Sequence, residues 1–331
     1  MESRRLGTNG PQVSELGLGC LGMSDNYGPA DEAESVATIR AALDGGVTLL
    51  DTGDVYGMGH NELLIHEALR GRRREDVQIS VKFGGLRRPD GHWSGFDCRP
   101  DAAWNFLSYT LKRLRTDYVD VYRPARVDPN VPIEETVGAL SEMVQAGYVR
   151  HIGLSEVGVE TLRRAHAVHP VADLQIEYSL ISRGIEDAIL PTCRELGVGI
   201  TAYGVLSRGL LSGHWTQQRE TTDRDFRSHA PRFQGENLQR NLALVEKLRA
   251  LAGERGATVT QAAIAWVAAQ GQDIVPVVGA RTRAQLTESL AAADLKLSAD
   301  DLADLERIAP PEAVSGTRYA EWQMAYLDSE R

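Results

Sequence analysis

Residues 47–82 read VTLLDTGDVYGMGHNELLIHEALRGRRREDVQISVK: a strand-like run at 48–50, a helical pattern at 62–69 and a second strand-like run at 77–81. Strand, helix and strand in that order make a parallel βαβ unit, because two parallel neighbours need a long crossover between them. The same alternation continues almost from end to end. Further strand-like runs fall at 16–18, 118–122, 151–154, 174–176, 200–202 and 274–278, and further helical patterns at 32–43, 102–114, 133–146, 159–167, 185–196, 260–269 and 283–292. Each strand is followed by a helix. Eight repeats of one unit, with no change in composition, predict a closed (β/α)8 TIM barrel of the α/β class. A doubly wound open sheet would need a second edge and a switch point.

The barrel is expected to be a single domain over 1–331. Two stretches, 241–255 and 299–308, read as extra helices, the second with Ser298 as its N-cap. The N-terminal RRLGTNGPQVSEL predicts a hairpin, turning at Asn9-Gly10, that covers the barrel floor. Segments 84–99 and 207–236, rich in glycine, arginine and aromatic residues, are expected to stand as long loops over the active-site face. The C-terminal segment 309–331 carries Tyr319, Trp322 and Tyr326, which either close the pocket or dock on another subunit.

Composition narrows the partners. The 331 residues are 42% apolar and 25% charged, as in ordinary globular proteins. A formal net charge of -10 argues against general nucleic-acid binding, which draws on a broad basic face. Three cysteines, Cys20, Cys98 and Cys193, lack metal-ligand spacing and suit free thiols in a reducing compartment, so no metal site is expected. The N-terminus MESRRLGTNG has no apolar leader region and no apolar run nears eighteen residues, so the expected location is cytoplasmic, without a membrane partner.

Asp51, Tyr56 and Lys82 stand near the ends of two successive strand-like runs. A phenol titrates near ~10 and donates protons poorly at neutral pH unless a cation stabilises the phenolate. Lys82 is the expected cation and Asp51 its anchor, which makes the trio a general acid for a carbonyl oxygen. The alternative is that Asp51 caps a turn, Tyr56 packs in a loop and Lys82 is a solvated strand end; spacing leaves both open. Placement on the catalytic rim of a barrel favours chemistry, since Asp51 and Lys82 are expected to follow directly on strands two and three, with Tyr56 in the loop beyond. Gly17-Leu18-Gly19-Cys20-Leu21-Gly22 matches the dinucleotide pattern G-x-G-x-x-G, yet the next helical pattern waits until about Asp31. These glycines read as a tight turn instead.

Eight motifs share an order and spacing with one known family: LGLGCLGMS, LLDTGDVYGMGHNE, VKFG, DYVDVYRPARVDP, PIEETVGALSEMVQAGYVRHIGLSEV, LQIEYSL, GITAYGVLSRGLLSG and VVGARTRAQLTESL. The chain resembles the aldo-keto reductase superfamily over nearly all its length, most closely the bacterial branch similar to potassium-channel β subunits. The resemblance implies NADP(H) extended across the C-terminal face of the barrel. It makes Tyr56 the proton donor, Lys82 its pKa modulator and Asp51 the partner of Lys82. Ser155 and Gln175 match residues that hold the nicotinamide carboxamide, and Tyr203 matches the aromatic that stacks on the ring. Gly204, Val205, Leu206, Ser207 and Arg208 match the loop over the pyrophosphate. Arg281, Gln285, Glu288 and Ser289 match the adenosine end, with Arg281 expected to read the 2'-phosphate. Cys20, Leu21, Asp51 and Gly279 complete the cofactor set that the likeness implies.

The family's fourth catalytic position is a histidine, and the matching residue here is Ala125. Losing one such donor typically costs about 10²- to 10³-fold, which an enzyme survives. A water, or Arg123 on the same strand parity, is the candidate replacement; the alternative pairs Arg123 with a core carboxylate. Pro124 hints at an irregular strand end. Ser289 replaces the usual asparagine near the adenine, and Glu156 follows Ser155 as it does in the branch resembled. The substrate pocket is expected to include Met23, Tyr27, Tyr56, Trp93 and Ala125, with Phe96 nearby, and to suit a hydrophobic aldehyde or ketone. The expected activity is NADPH-dependent carbonyl reduction, reversible as alcohol oxidation. The competing reading is a cofactor-binding regulatory protein.

Overall fold

The structure, a computed structural model, describes residues 1–24, 26–222 and 225–331. Positions 223 and 224 of the expected 207–236 loop lie outside the described residues. Eight parallel strands close a barrel: β1 (Gly17–Gly19), β2 (Leu49–Gly53), β3 (Gln78–Phe83), β4 (Val119–Pro124), β5 (Val149–Ser155), β6 (Val171–Glu177), β7 (Gly199–Tyr203) and β8 (Ile274–Gly279). Each strand pairs with the next in sequence, and β8 closes on β1 through Val277 to Gly17, Val278 to Leu18 and Gly279 to Gly19. This is the (β/α)8 barrel. No helix begins at Gly22; the next starts at Glu32 with the Asp31 side chain accepting from Glu34 N.

Several boundaries differ from the sequence reading. Asp51 and Lys82 lie within β2 and β3 rather than after them, because both strands run two or three residues further into the polar end. The helix expected at 185–196 spans Ile189–Leu196; Arg183 and Glu186 instead close a turn, held by the Tyr178 hydroxyl on Glu186 at 2.8 Å. The extra helix expected at 241–255 spans Gly235–Glu254, and its polar first turns are anchored by Asn237 and Asn241 to loop carbonyls. Ala299–Ile308 forms as expected, with a reciprocal Ser298–Asp301 cap. Segment 84–99 contains an unforeseen hairpin, Gly85–Arg87 with Trp93–Phe96.

The N-terminal hairpin is present, Ser3–Arg5 against Gln12–Ser14, but Asn9-Gly10 is not a two-residue turn. The connection runs from 6 to 11, and the left-handed residue is Gly7 at φ +61°. A Cβ at Gly7 would lie 2.4 Å from Gly197 O, so the floor plug touches barrel backbone directly. Leu6 and Val13 from this plug pack on Leu49, Val275 and Val277 inside the barrel.

Above that apolar layer the interior turns polar. Arg123, fully buried, reaches Asp173 at 3.0 Å, Thr201 at 3.0 Å and Ser80 at 2.8 Å. The Ser80 hydroxyl then donates to Asp51 at 2.9 Å in the layer above. Alternation along each strand stacks these layers: Ser80 below Lys82 on β3, Asp173 below Gln175 on β6, Thr201 below Tyr203 on β7. Arg123 thus pairs with a core carboxylate and sits below the site. Among the described residues no helix is long and apolar enough to cross a membrane.

Candidate active site

At the C-terminal end of the barrel, Lys82 Nζ donates to Asp51 Oδ1 at 2.5 Å and to Gln175 Oε1 at 2.8 Å. Gln175 Nε2 donates to the other Asp51 oxygen at 2.7 Å. Two strands 124 residues apart in sequence therefore close one buried ring of hydrogen bonds. Tyr56 begins a short 3-10 turn after β2, and Lys82 Nζ lies 5.2 Å from the centroid of its ring. The structure brings the three sequence-predicted residues together.

Their electrostatics differ from the expectation. Burial pushes the Tyr56 phenol well above its usual range, Asp51 and Tyr27 push the same way, and Arg126 pulls it back. Burial also lowers the Lys82 ammonium, against the raising effect of Asp51. In the free protein, burial and the Asp51 charge outweigh the pull of nearby cations, so the phenol is not acidified there. Tyr56 is held protonated, as a donor rather than a base.

Asp54, next to this cluster, has its carboxyl pushed up to about 7 by burial and by Glu62, and Gly84 N donates to its Oδ2 at 3.3 Å. A folded-state value above the unfolded one means that the native state binds the extra proton between about pH 4 and 7, so stability falls as pH rises through that window. Asp54→Asn is expected to remove a slope of up to about 1.4 kcal/mol per pH unit. Urea midpoints of both proteins at pH 5.5 and 8 measure it; parallel shifts in the two would contradict this account.

A cavity of about 490 Å³ opens above the ring of hydrogen bonds, within the range of small-molecule sites. Its wall includes Tyr56, Lys82, Ala125, Gln175, Tyr203, Tyr27 and Trp93 from the expected set. Leu21, Gly204, Val205, Leu206, Arg208, Gly279, Arg281, Gln285, Glu288 and Ser289 line it as well. Met23 does not. It packs in the apolar core at 1% exposure and is not among the residues that line the cavity. Cys20, Asp51, Ser155 and Ser207 stand buried behind the wall. All three cysteines are buried and free.

Whether these residues fit a dinucleotide is tested by two features. Ser207 Oγ is buried with no partner among the described residues, and Gly204, Ser207, Arg208 and Gly209 all take positive φ, although the Ser207 and Gly209 amides are donated to Gly204 O and Leu206 O. Arg219, Arg227 and Arg281 cluster at one end of the cavity; burial, and then the neighbouring Arg227, lowers the Arg219 and Arg281 guanidiniums, while Asp225 pairs Arg227 at 2.6 Å. Arg281 donates to the carbonyls of Tyr27 and Pro29 and has no carboxylate within 4.0 Å among the described residues. Strained loop and surplus cations both fit a polyanionic cofactor. Arg208, in contrast, is committed to Glu177 at 3.0 Å. Arg219 and Arg227 were missed from sequence because their loop has no periodic signal.

The C-terminal segment closes the cavity: Tyr319, Trp322, Gln323, Tyr326 and Leu327 line it. Arg318 latches the segment, its guanidinium meeting both Glu156 oxygens at 2.8 and 2.6 Å and Glu330 at 2.7 Å. Burial pushes the Glu156 carboxyl up, but Arg318, Arg126 and the Ser329 hydroxyl outweigh it and hold the group well below the usual range. Tyr203 donates to Glu156 at 2.6 Å and meets the Tyr319 hydroxyl at 2.7 Å, so the latch reaches the ring expected to stack on a nicotinamide.

The aldo/keto reductase family profile matches residues 15–310. The chain is 43% identical over 318 residues to probable aldo-keto reductase 1 of Glycine max, covering 95% of this chain and 91% of that protein. Among solved structures it is similar to the glycerol dehydrogenase AKR11B4 from Gluconobacter oxydans, at 29% identity and a TM-score of 0.84 over 96% of this chain and 99% of that one. It is also similar to the aldo-keto reductase AKR11C1 from Bacillus halodurans in its holo form, at 26% identity and a TM-score of 0.78 over 97% and 100%.

Proposed function

The chain belongs to the aldo/keto reductase family of nicotinamide-dependent oxidoreductases, and from that premise we propose that it is an NADPH-dependent reductase of aldehydes or ketones with Tyr56 as proton donor. The observation that carries this reading is the buried Asp51–Lys82–Gln175 ring directly beneath Tyr56 on the cavity wall. When bound, the reduced cofactor supplies hydride to the carbonyl carbon.

The residues supply the rest. Tyr56 Oη, kept protonated by its buried setting, gives its proton to the carbonyl oxygen as negative charge develops there. Lys82, fixed by Asp51 and Gln175, keeps a positive charge close to the phenolate that the transfer leaves behind. Gln175 on the wall, with Ser155 just behind it, would hold the nicotinamide amide, and Tyr203 would offer its ring a stacking face. The 204–209 loop would hold the pyrophosphate, and Arg281 with Arg219 and Arg227 would hold the 2'-phosphate. Trp93, Phe96 and the C-terminal aromatics exclude water from the reacting pair. A structural neighbour named a glycerol dehydrogenase supports the same site running toward alcohol oxidation. The whole chain forms one catalytic domain, and its setting is cytoplasmic.

Incubation with NADPH and a panel of aldehydes and bulky ketones, following cofactor absorbance, tests the reading. Many turnovers per protein are expected. Tight cofactor binding with no multiple turnover on any carbonyl would replace the reductase with a cofactor-sensing role. Arg281→Ala is expected to lower the preference for NADPH over NADH about 10- to 100-fold, since a charge-assisted phosphate contact is lost. Fluorescence titration of both cofactors measures it, and an unchanged ratio would move the 2'-phosphate elsewhere.

A further inference from the structure

Guanidinium groups crowd this end of the barrel; Arg219 and Arg281 carry no ion pair among the described residues, but three others are neutralised at close range. Arg208 meets Glu177 at 3.0 Å, Arg227 meets Asp225 at 2.6 Å and Arg318 meets Glu156 at 2.6 Å. Arg126 is different. It lines the cavity directly after Ala125, and among the described residues no carboxylate oxygen lies within 4.0 Å of it. Glu156 is in its neighbourhood, but both Glu156 oxygens are already taken by Arg318, Ser329 and Tyr203.

Arg126 is nevertheless held in place. Its Nη1 donates to Ala125 O at 2.6 Å and to Ser155 Oγ at 3.3 Å, and its Nη2 to the Tyr319 hydroxyl at 3.3 Å. Those bonds occupy Nη1 and one hydrogen of Nη2. They leave Nε–H and the second Nη2–H, the pair that forms a fork, without a protein acceptor among the described residues. A charge fixed in a largely apolar cavity, with a two-donor edge unused, is an incomplete ion pair. The partner that completes it has one negative charge and two oxygens in a plane. A phosphate, with nearly two charges, would leave one uncompensated in this largely apolar cavity.

We propose that the carbonyl substrate is an oxo acid, its carboxylate held on the Nε–Nη2 edge of Arg126 and its carbonyl turned to Tyr56. The assignment rests on the reductase reading and names its substrate class. The small side chain of Ala125 leaves room beside the guanidinium for that carboxylate, and the aromatic walls receive the rest of the molecule. Arg126 is then the residue that selects anionic over neutral carbonyl compounds, despite the net negative charge of the chain.

Two measurements separate a failure of this assignment from a failure of the reductase reading. Calorimetric titration of the NADP-loaded protein with phenylacetate and with phenylacetamide needs no turnover. Phenylacetate is expected to bind about 30- to 100-fold more tightly, Arg126→Met to erase that preference, and Arg126→Lys to keep part of it. In turnover, 2-oxo-2-phenylacetate is compared with its methyl ester, and Arg126→Met is expected to lower the acid-to-ester ratio of kcat/KM by a similar factor, through KM. Equal binding of phenylacetate and phenylacetamide by the unaltered protein overturns the proposal, whether or not the variants fold. So does a variant in which acid and ester lose kcat equally, which would put the guanidinium on the reacting oxygen instead. Carboxylate preference in the titration without turnover of either compound would support the anchor and refute the reductase.

Discussion

Tyr56→Phe is expected to lower kcat for carbonyl reduction by about 10³-fold or more, with the Kd for NADPH within about twofold of the unaltered protein. The substitution removes one oxygen and little else. The ring packs edge-on against the backbone of Gly53, where a Cβ would lie 3.2 Å from its Cε1, and phenylalanine keeps that contact. With Ala125 in place of a histidine, that position offers no imidazole to give the proton instead, so the loss should exceed what a single auxiliary donor costs. The raised phenol also sets the pH dependence. Because burial holds the Tyr56 proton above its usual range, reduction should persist through neutral and mildly alkaline pH rather than fall with a group near 7. Stopped-flow single turnovers with a fixed aldehyde measure both effects. A variant retaining a tenth of the activity would transfer the donor role to another group, with Tyr27 and Tyr319 the neighbours to examine.

Much of this site is legible in the order of residues because the barrel converts short sequence patterns into fixed positions. Asp51 and Lys82 end β-rich runs, and a strand that ends on the catalytic face presents its last inward residues there whatever lies between. Gln175 arrives on β6 by the same rule. The barrel itself was readable from its repeats, since each strand is a buried apolar run that no helix period explains. Termini were less readable. Asp51 and Lys82 look like loop residues beside apolar runs, but a closed barrel lets strands continue through polar residues whose partners come from across the lumen.

What the sequence hid are pairings between distant charges. Arg318 and Glu156 are 162 residues apart, and nothing local marks either as half of a latch. Glu156 is also held at φ +54°, a conformation that costs a non-glycine residue energy and is sustained here by its four bonded partners. Arg126 hid behind Ala125 for a related reason: alternation points Ala125 inward, and only the backbone turn after β4 brings the next side chain back over the cavity. The 85–96 hairpin lay in a glycine- and arginine-rich stretch of low β propensity, and its register is held by Trp93 packing on Gly85 and Phe96 rather than by strand-forming residues.

The ion pair beneath the site carries the largest expected stability effect. Arg123 and Asp173 have no exposed side-chain surface, and their carboxylate and guanidinium lie 3.0 Å apart among Thr201 and Ser80. Gly153 packs closely against them, and a Cβ there would stand 2.5 Å from Asp173 Oδ1. Asp173→Ala strands a buried guanidinium and is expected to cost about 3–5 kcal/mol, and Arg123→Met to cost a similar amount by stranding the carboxylate. The double replacement Arg123→Met with Asp173→Leu removes both charges and refills the volume, and it is expected to recover most of the loss, because desolvation offsets much of what the pair gains. Urea midpoints of the four proteins give the cycle. Arg123 also holds Ser80, and Ser80 holds Asp51, so the double variant should keep its fold while losing some turnover as the Asp51–Lys82 pair loosens. Single variants within 1 kcal/mol of the unaltered protein would mean that the layer below the site is solvated, and that the catalytic cluster above it stands without that support.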